Sequence, residues 1–263
     1  MIRIEDVSHS IGPARILHDI RTEFPQGRLT ALIGPNGAGK STLLRLVGRL
    51  ESLQSGRIEI GGHDLAVTQS SELARVMAIL GQDTAIASRL RIRELVAFGR
   101  WPHHNGRPRA DDHAKVQAVL ENFALTSLAD RFLDEISGGQ AQRAHIAMCF
   151  VQDTPWLLMD EPLNNLDMSH SRALMQRVSD LVRQQGRSVV MVVHEINYAA
   201  AWADHIIAMK DGRIMAEGDP DAVLNERVLS QLYDTDVQVS RHQDRPLVLH
   251  HAQTARHRPE RIA

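Results

Sequence analysis

The sequence predicts an α/β fold with a mainly parallel sheet, an N-terminal antiparallel β region and an inserted helical subdomain. Three observations carry this reading. Apolar strand-like runs alternate with helical periodicities, one such run feeds a glycine-rich turn that opens a helix, and the stretch 86–151 interrupts the alternation with helical spacing and no strong strand.

The opening IRIEDVSHS alternates like a strand, and RLTALI at 28–33 reads as a buried strand running into the glycine-rich turn. STLLRLVGRL is helical in character, and RIEIGG at 57–62 looks like a strand ending in a Gly-Gly turn. In the interrupting stretch, Val116, Val119, Leu120 and Phe123 recur at helical spacing. Strand signals return at WLLM (156–159), SVVMVV (188–193) and HIIAM (205–209), with the helix of Leu174, Val178, Leu181 and Val182 between the first two. Asp211-Gly212 joins HIIAM to RIMAEG as a hairpin. RPLVLH at 245–250 reads as a final strand, followed by disorder.

The 263 residues are 43% hydrophobic, enough for a buried core, and the formal net charge of -2 argues against a surface built throughout for nucleic acid. Any anion site must be local. The first residues lack a basic stretch followed by an apolar one, and no apolar run approaches the roughly 18 residues of a membrane span, so a soluble, cytosolic chain is expected. The single cysteine, Cys149, reads as a small core residue.

Residues 34–41, Gly34, Pro35, Asn36, Gly37, Ala38, Gly39, Lys40 and Ser41, match G-x-x-x-x-G-K-[ST] between a strand and a helix, with Thr42 next. The glycines let consecutive N–H groups wrap phosphates, Lys40 reaches the β and γ phosphates, and the Ser41 hydroxyl ligates magnesium. Asp160-Glu161 ends the WLLM strand at the edge where open α/β sheets bind ligands. Alone, two acids there would be a solvated strand end. Beside a phosphate loop, Asp160 fits the magnesium partner and Glu161 the group that polarises the attacking water.

ISGGQ at 136–140 precedes a helix carrying Ala144, Ala147, Met148 and Val151 on one face. With the phosphate loop and Asp160-Glu161 in order around it, this pentapeptide resembles the signature motif of the ATP-binding cassette family. Gln82 in AILGQD (the Q-loop), LNNLD at 163–167 (the D-loop) and His194 (the H-loop) are further matches. The resemblance, spanning about residues 2–236, implies a P-loop NTPase cassette that binds ATP and Mg2+. It implies one nucleotide-binding domain over 1–240, with the helical subdomain inserted at about 86–151 and a C-terminal tail over 241–263. It further implies a head-to-tail homodimer in which Ser137, Gly138, Gly139 and Gln140 face the partner's nucleotide. His194 would contact the γ-phosphate, Gln82 would sense magnesium and water, and Asp167 would couple the two sites. Glu161, His194, Gln82 and Lys40 form the implied catalytic set, and Ser41, Gln82 and Asp160 the metal set.

The sequence departs from the family where an aromatic residue commonly stacks on adenine: the matching position is Ile11, with His9 expected on the same strand face. The D-loop begins Leu163-Asn164 and the signature begins with Ile136. SRLRIRELVAFGRWP (88–102) and PLNNLDM (162–168) are similar to cassettes of iron-siderophore importers, a subgroup overlapping haem and cobalamin importers. That similarity implies membrane-embedded permease subunits as partners, a periplasmic or lipoprotein substrate-binding protein acting indirectly, no nucleic acid, and a location on the cytoplasmic face of the cell membrane. A soluble ATPase of this family and a nucleotide-binding module without turnover are the alternatives. Arg89, Arg91, Arg93, Arg100, Arg107 and Arg109 could face a permease loop, anionic lipid or solvent. His242, His250, His251 and His257 follow no metal-ligand spacing.

Overall fold

A computed structural model describes residues 1–81 and 89–250 of the chain. β1 (Ile2–Ile11) pairs antiparallel with β2 (Ala14–Phe24). The sequence pattern does not pick out β2, because its period of two breaks between buried Leu17 and buried Ile20, where Asp19 takes a φ of 50° and the pairing register shifts. A further register shift follows between His9 and Ser10. His9 is buried with Nε2 3.0 Å from Glu51, whereas Ile11, the last residue of β1, is 53% exposed.

β3 (Leu29–Ile33) is buried at every position and leads through the glycine-rich loop into α1 (Lys40–Val47). β4 (Arg57–Ile60) and β5 (His63–Asp64) complete an antiparallel sheet in the order β2-β1-β4-β5. α2 (Ser70–Val76) then feeds β6 (Met77–Leu80). The insertion follows as α3 (Ile92–Phe98), α4 (Trp101–His104), α5 (Ala110–Asn122) and α6 (Gly138–Val151). After it come β7 (Trp156–Asp160), α7 (Met168–Gln185), β8 (Ser188–Val192), α8 (Ile196–Trp202) and β9 (His205–Lys210). β10 (Arg213–Gly218), α9 (Pro220–Val223), α10 (Glu226–Tyr233), β11 (Gln238–His242) and β12 (Arg245–Leu249) end the described chain.

The central sheet runs β10-β9-β3-β8-β7-β6, parallel throughout except for β10, which is antiparallel to β9 across the expected hairpin. Its inner strands β3, β8 and β7 are buried at every position, whereas the edge strand β10 is exposed or half-buried throughout. Leu32, Leu158 and Val190 point into a core shared with β1, β4 and α1, while Ala31, Leu157 and Val189 point into one shared with α6, α7 and α10. Burial of each such Leu or Val contributes about 1.5–3 kcal/mol. The expected final strand is β12, but it pairs with β11, which begins before the expected tail boundary of 241. His251, His257 and the expected disorder lie outside the described residues.

The arginines of the insertion are not one exposed patch. Arg100 is buried and donates from Nε to Asp112 at 2.9 Å and from Nη1 to the Val151 carbonyl at 3.1 Å. Arg89 and Arg91 lie over the Phe132 ring, Arg89 also meets Asp134 and Glu135, and Arg93 pairs with Asp130 at 2.7 Å. These charges are largely met within the subdomain. Cys149 is buried as expected, and burial pushes its thiol up to about 12, which leaves it protonated and inert. Among the described residues no helix is long and apolar enough to cross a membrane.

Candidate functional site

The parallel strands end together, and the loops leaving β3, β7 and β8 form the site. Gly34 leaves β3 at φ 142°, packed so closely on β9 that a Cβ would lie 2.0 Å from the Met209 carbonyl. Only glycine fits there. Gly39 caps α1 at φ 93°, against Leu17 of β2, so the loop is pinned between both sheets while Asn36 and Gly37 remain exposed at its apex.

Lys40 is buried, and its ammonium donates to the carbonyls of Gly34 at 2.8 Å and Pro35 at 2.9 Å. An ammonium has three N–H donors, so one remains for an anion. Burial holds the Lys40 pKa below its ordinary value, opposed by the charges of Glu161 and Asp160. Ser41 donates from Oγ to Asp160 Oδ1 at 2.9 Å. Asp160 Oδ2 is buried with no hydrogen-bond partner among the described residues. Burial pushes this carboxyl above its usual range, with the Glu161 charge adding to the rise and the Ser41 bond opposing it.

Glu161 is the first residue beyond β7 and takes a φ of 51°, a conformation that costs a non-glycine residue on the order of 1 kcal/mol or more. It turns the carboxylate towards β8, where Oε1 lies 2.5 Å from His194 Nε2, while Oε2 accepts from Asn164 Nδ2 at 2.6 Å. Each oxygen keeps a second lone pair for a water. Lys40, Ser41, Asp160, Glu161 and His194 therefore converge, as the sequence predicts for the sheet edge. Gln82 lies outside the described residues, directly after Gly81 beyond β6.

Ser137, Gly138, Gly139 and Gln140 form a separate surface at the start of α6. Ser137 Oγ accepts from the Gln140 N–H at 3.3 Å, and Gln140 Oε1 accepts from the Ser137 N–H at 3.0 Å, a reciprocal cap that fixes the first turn. Among the described residues no hydrogen bond joins this surface to the phosphate loop. Asp167 caps α7 and is held well below the usual carboxylate range by the backbone N–H and ring of His170 and the Ser169 hydroxyl. Sequence reasoning missed Asn164 and His170 as partners of Glu161 and Asp167, and Arg143 as the partner of His170. The i, i+3 spacing of Asp167 and His170 at a helix start was the available signal.

Comparison with known proteins gives one family. The family model described as ABC transporter matches residues 17–164. A petrobactin import ATP-binding protein, YclP of Bacillus subtilis, is 42% identical over 91% of this chain and 95% of its own length. The ferric enterobactin transport ATP-binding protein FepC of Escherichia coli is 37% identical over 88% of this chain and 86% of its own. A dimeric bacterial ABC transporter cassette of known structure superposes with a TM-score of 0.76 at 25% identity, covering 83% of this chain and 98% of that one.

Proposed function

The chain belongs to the ABC transporter family, and we propose that it is the ATP-hydrolysing subunit of an importer that takes up ferric siderophores. The observation that carries the enzymatic reading is the convergence of Lys40, the Ser41–Asp160 pair and the Glu161–His194 pair at the carboxyl edge of one parallel sheet. The loop of residues 34–41 and the N-terminus of α1 bind the ATP phosphates, with Lys40 meeting the β and γ oxygens.

Ser41 Oγ and the unpartnered Asp160 Oδ2 are hard oxygen donors suited to Mg2+, and Gln82 completes the metal set. The ion, when bound, neutralises charge on the transferred phosphoryl group. Glu161 polarises the attacking water, and His194 leaves its bond to Glu161 to contact the γ-phosphate. Ser137, Gly138, Gly139 and Gln140 serve a nucleotide held by a second cassette, since a surface separate from its own phosphate loop can act on ATP only across a dimer. Asp167 couples the two sites.

The siderophore assignment rests on the petrobactin and ferric enterobactin relatives. The chain works on the cytoplasmic face of the membrane with permease subunits, and a substrate-binding protein delivers cargo on the other side. The nucleotide-binding domain spans 1–240. The test is uptake of labelled ferric petrobactin by cells or proteoliposomes carrying the cognate permease. Wild type should restore uptake and Glu161→Gln should not; uptake independent of the chain, or equal with both, would reject the assignment.

A further inference from the structure

Asp167 accepts three hydrogen bonds, all on Oδ1. They come from the His170 backbone N–H at 2.8 Å, the Ser169 hydroxyl at 2.9 Å and His170 Nδ1 at 2.8 Å. Oδ2 takes none of them, and the side chain is 64% exposed. The other ring nitrogen of His170, Nε2, lies 2.9 Å from Nη1 of Arg143 on α6. A guanidinium carries only N–H donors, so Nε2 must accept and the ring proton must sit on Nδ1, where it donates to Asp167. The donors run one way, from Arg143 through His170 to Asp167.

Arg143 stands six residues beyond Ser137 and has no carboxylate within ion-pair distance among the described residues. Its remaining hydrogen bond is to the Phe123 carbonyl at 3.5 Å, and Arg177 lines the same cavity of about 260 Å³. The imidazole is thus the route by which this cation meets a carboxylate. Two further contacts close the same seam. Gln142 Nε2 donates to the Pro162 carbonyl at 3.4 Å, and a Cβ on Gly139 would lie 2.8 Å from the Asn165 carbonyl.

We propose that His170 is a positioning residue that ties the Asp167 carboxylate to the signature helix, so that α6 cannot turn against residues 161–167 without moving Asp167. A loop and a helix bound in this way respond as a unit. The catalytic consequence rests on the reading that Asp167 and the signature act at paired ATP sites; the tautomer of His170 does not.

The test measures steady-state ATPase of the full chain for wild type, His170→Phe, Arg143→Met and the double variant, with ATP affinity and thermal midpoint alongside. Each single change should lower kcat about tenfold, the loss carried by one charge-assisted hydrogen bond, with KM unchanged within about twofold. The double variant should be no slower than the slower single, because the relay acts as a unit. His170→Gln, whose amide offers an acceptor to Arg143 and a donor to Asp167, should recover most of kcat. Singles at the wild-type kcat, or losses that multiply in the double variant, overturn the coupling. Nitrogen-15 spectra of histidine-labelled protein, with His170 assigned by its loss in His170→Gln, should show Nδ1–H; Nε2–H would overturn the relay even if a variant failed to fold. A wild-type chain that hydrolyses no ATP contradicts the functional reading instead, and the coupling to catalysis with it, while the tautomer result stands alone.

Discussion

At the end of β7 two adjacent acids make different contacts because the backbone sends them different ways. Asp160 stays within the strand and buried against Ser41, while Glu161 turns out at φ 51° to His194 and Asn164. Glu161→Gln keeps the shape but loses the carboxylate, so phosphate release should fall about 10²–10⁴-fold, the usual worth of a general base, with ATP affinity retained. Release within a few-fold of wild type would reject the role. Asp160 has a linkage consequence as well. Its folded-state pKa is raised above the ordinary 3.8, so the folded chain holds that proton more tightly than the unfolded one. The group favours the fold below about pH 3.8, and that contribution is lost as pH rises through the raised folded value. Above that window Asp160→Asn should therefore melt higher than wild type in the absence of Mg2+ and nucleotide, with the difference vanishing at low pH; a lower midpoint at neutral pH would contradict the burial account. These acids were legible in the sequence because chemistry fixes their type. Asn164 was not, since its bond to Glu161 depends on a turn that spacing alone does not define.

Among the elements, the long parallel strands and α7 were readable because their apolar periods are unbroken. β2 was hidden by its bulge at Asp19, and β6 by following α2 with no turn residue between them. α6 was read as one apolar face, yet His145, Ile146 and Cys149 are buried too, because the helix is enclosed by β6, α3 and α5. Charge was the least legible feature, since a row of arginines looks alike whether it is solvated or paired. Arg100 joins α4's entry to α5 and α6 through Asp112 and the Val151 carbonyl, with side chains 6% and 9% exposed. Arg100→Met should leave Asp112 buried with the Arg109 backbone N–H but without its cation and cost about 2–3 kcal/mol, with the loss appearing in hydrogen exchange of α5 before the central sheet. Arg93→Glu, at an exposed pair with Asp130, should cost well under half of that. Equal midpoints for the two variants would show that Arg100 is not the subdomain's anchor.

For the whole molecule, the layout separates the machinery into two surfaces. The phosphate loop, Asp160, Glu161 and His194 share the sheet edge, whereas Ser137 to Gln140 open the signature helix with no hydrogen bond to that loop among the described residues. On the proposed reading the two surfaces act together across a dimer, so hydrolysis should require two copies; the cassette neighbour is itself dimeric. The family and its ATP chemistry were legible from ordered motifs. The pairing of surfaces needed the fold, because residues 34–41 and 136–140 are related only through the sheet and the insertion. The most direct measurement is phosphate release by the full chain in Mg-ATP across a wide range of protein concentration. The account predicts a specific activity that rises with concentration towards a plateau and is nearly absent in Glu161→Gln. A specific activity independent of concentration, or no hydrolysis at any concentration, would contradict it.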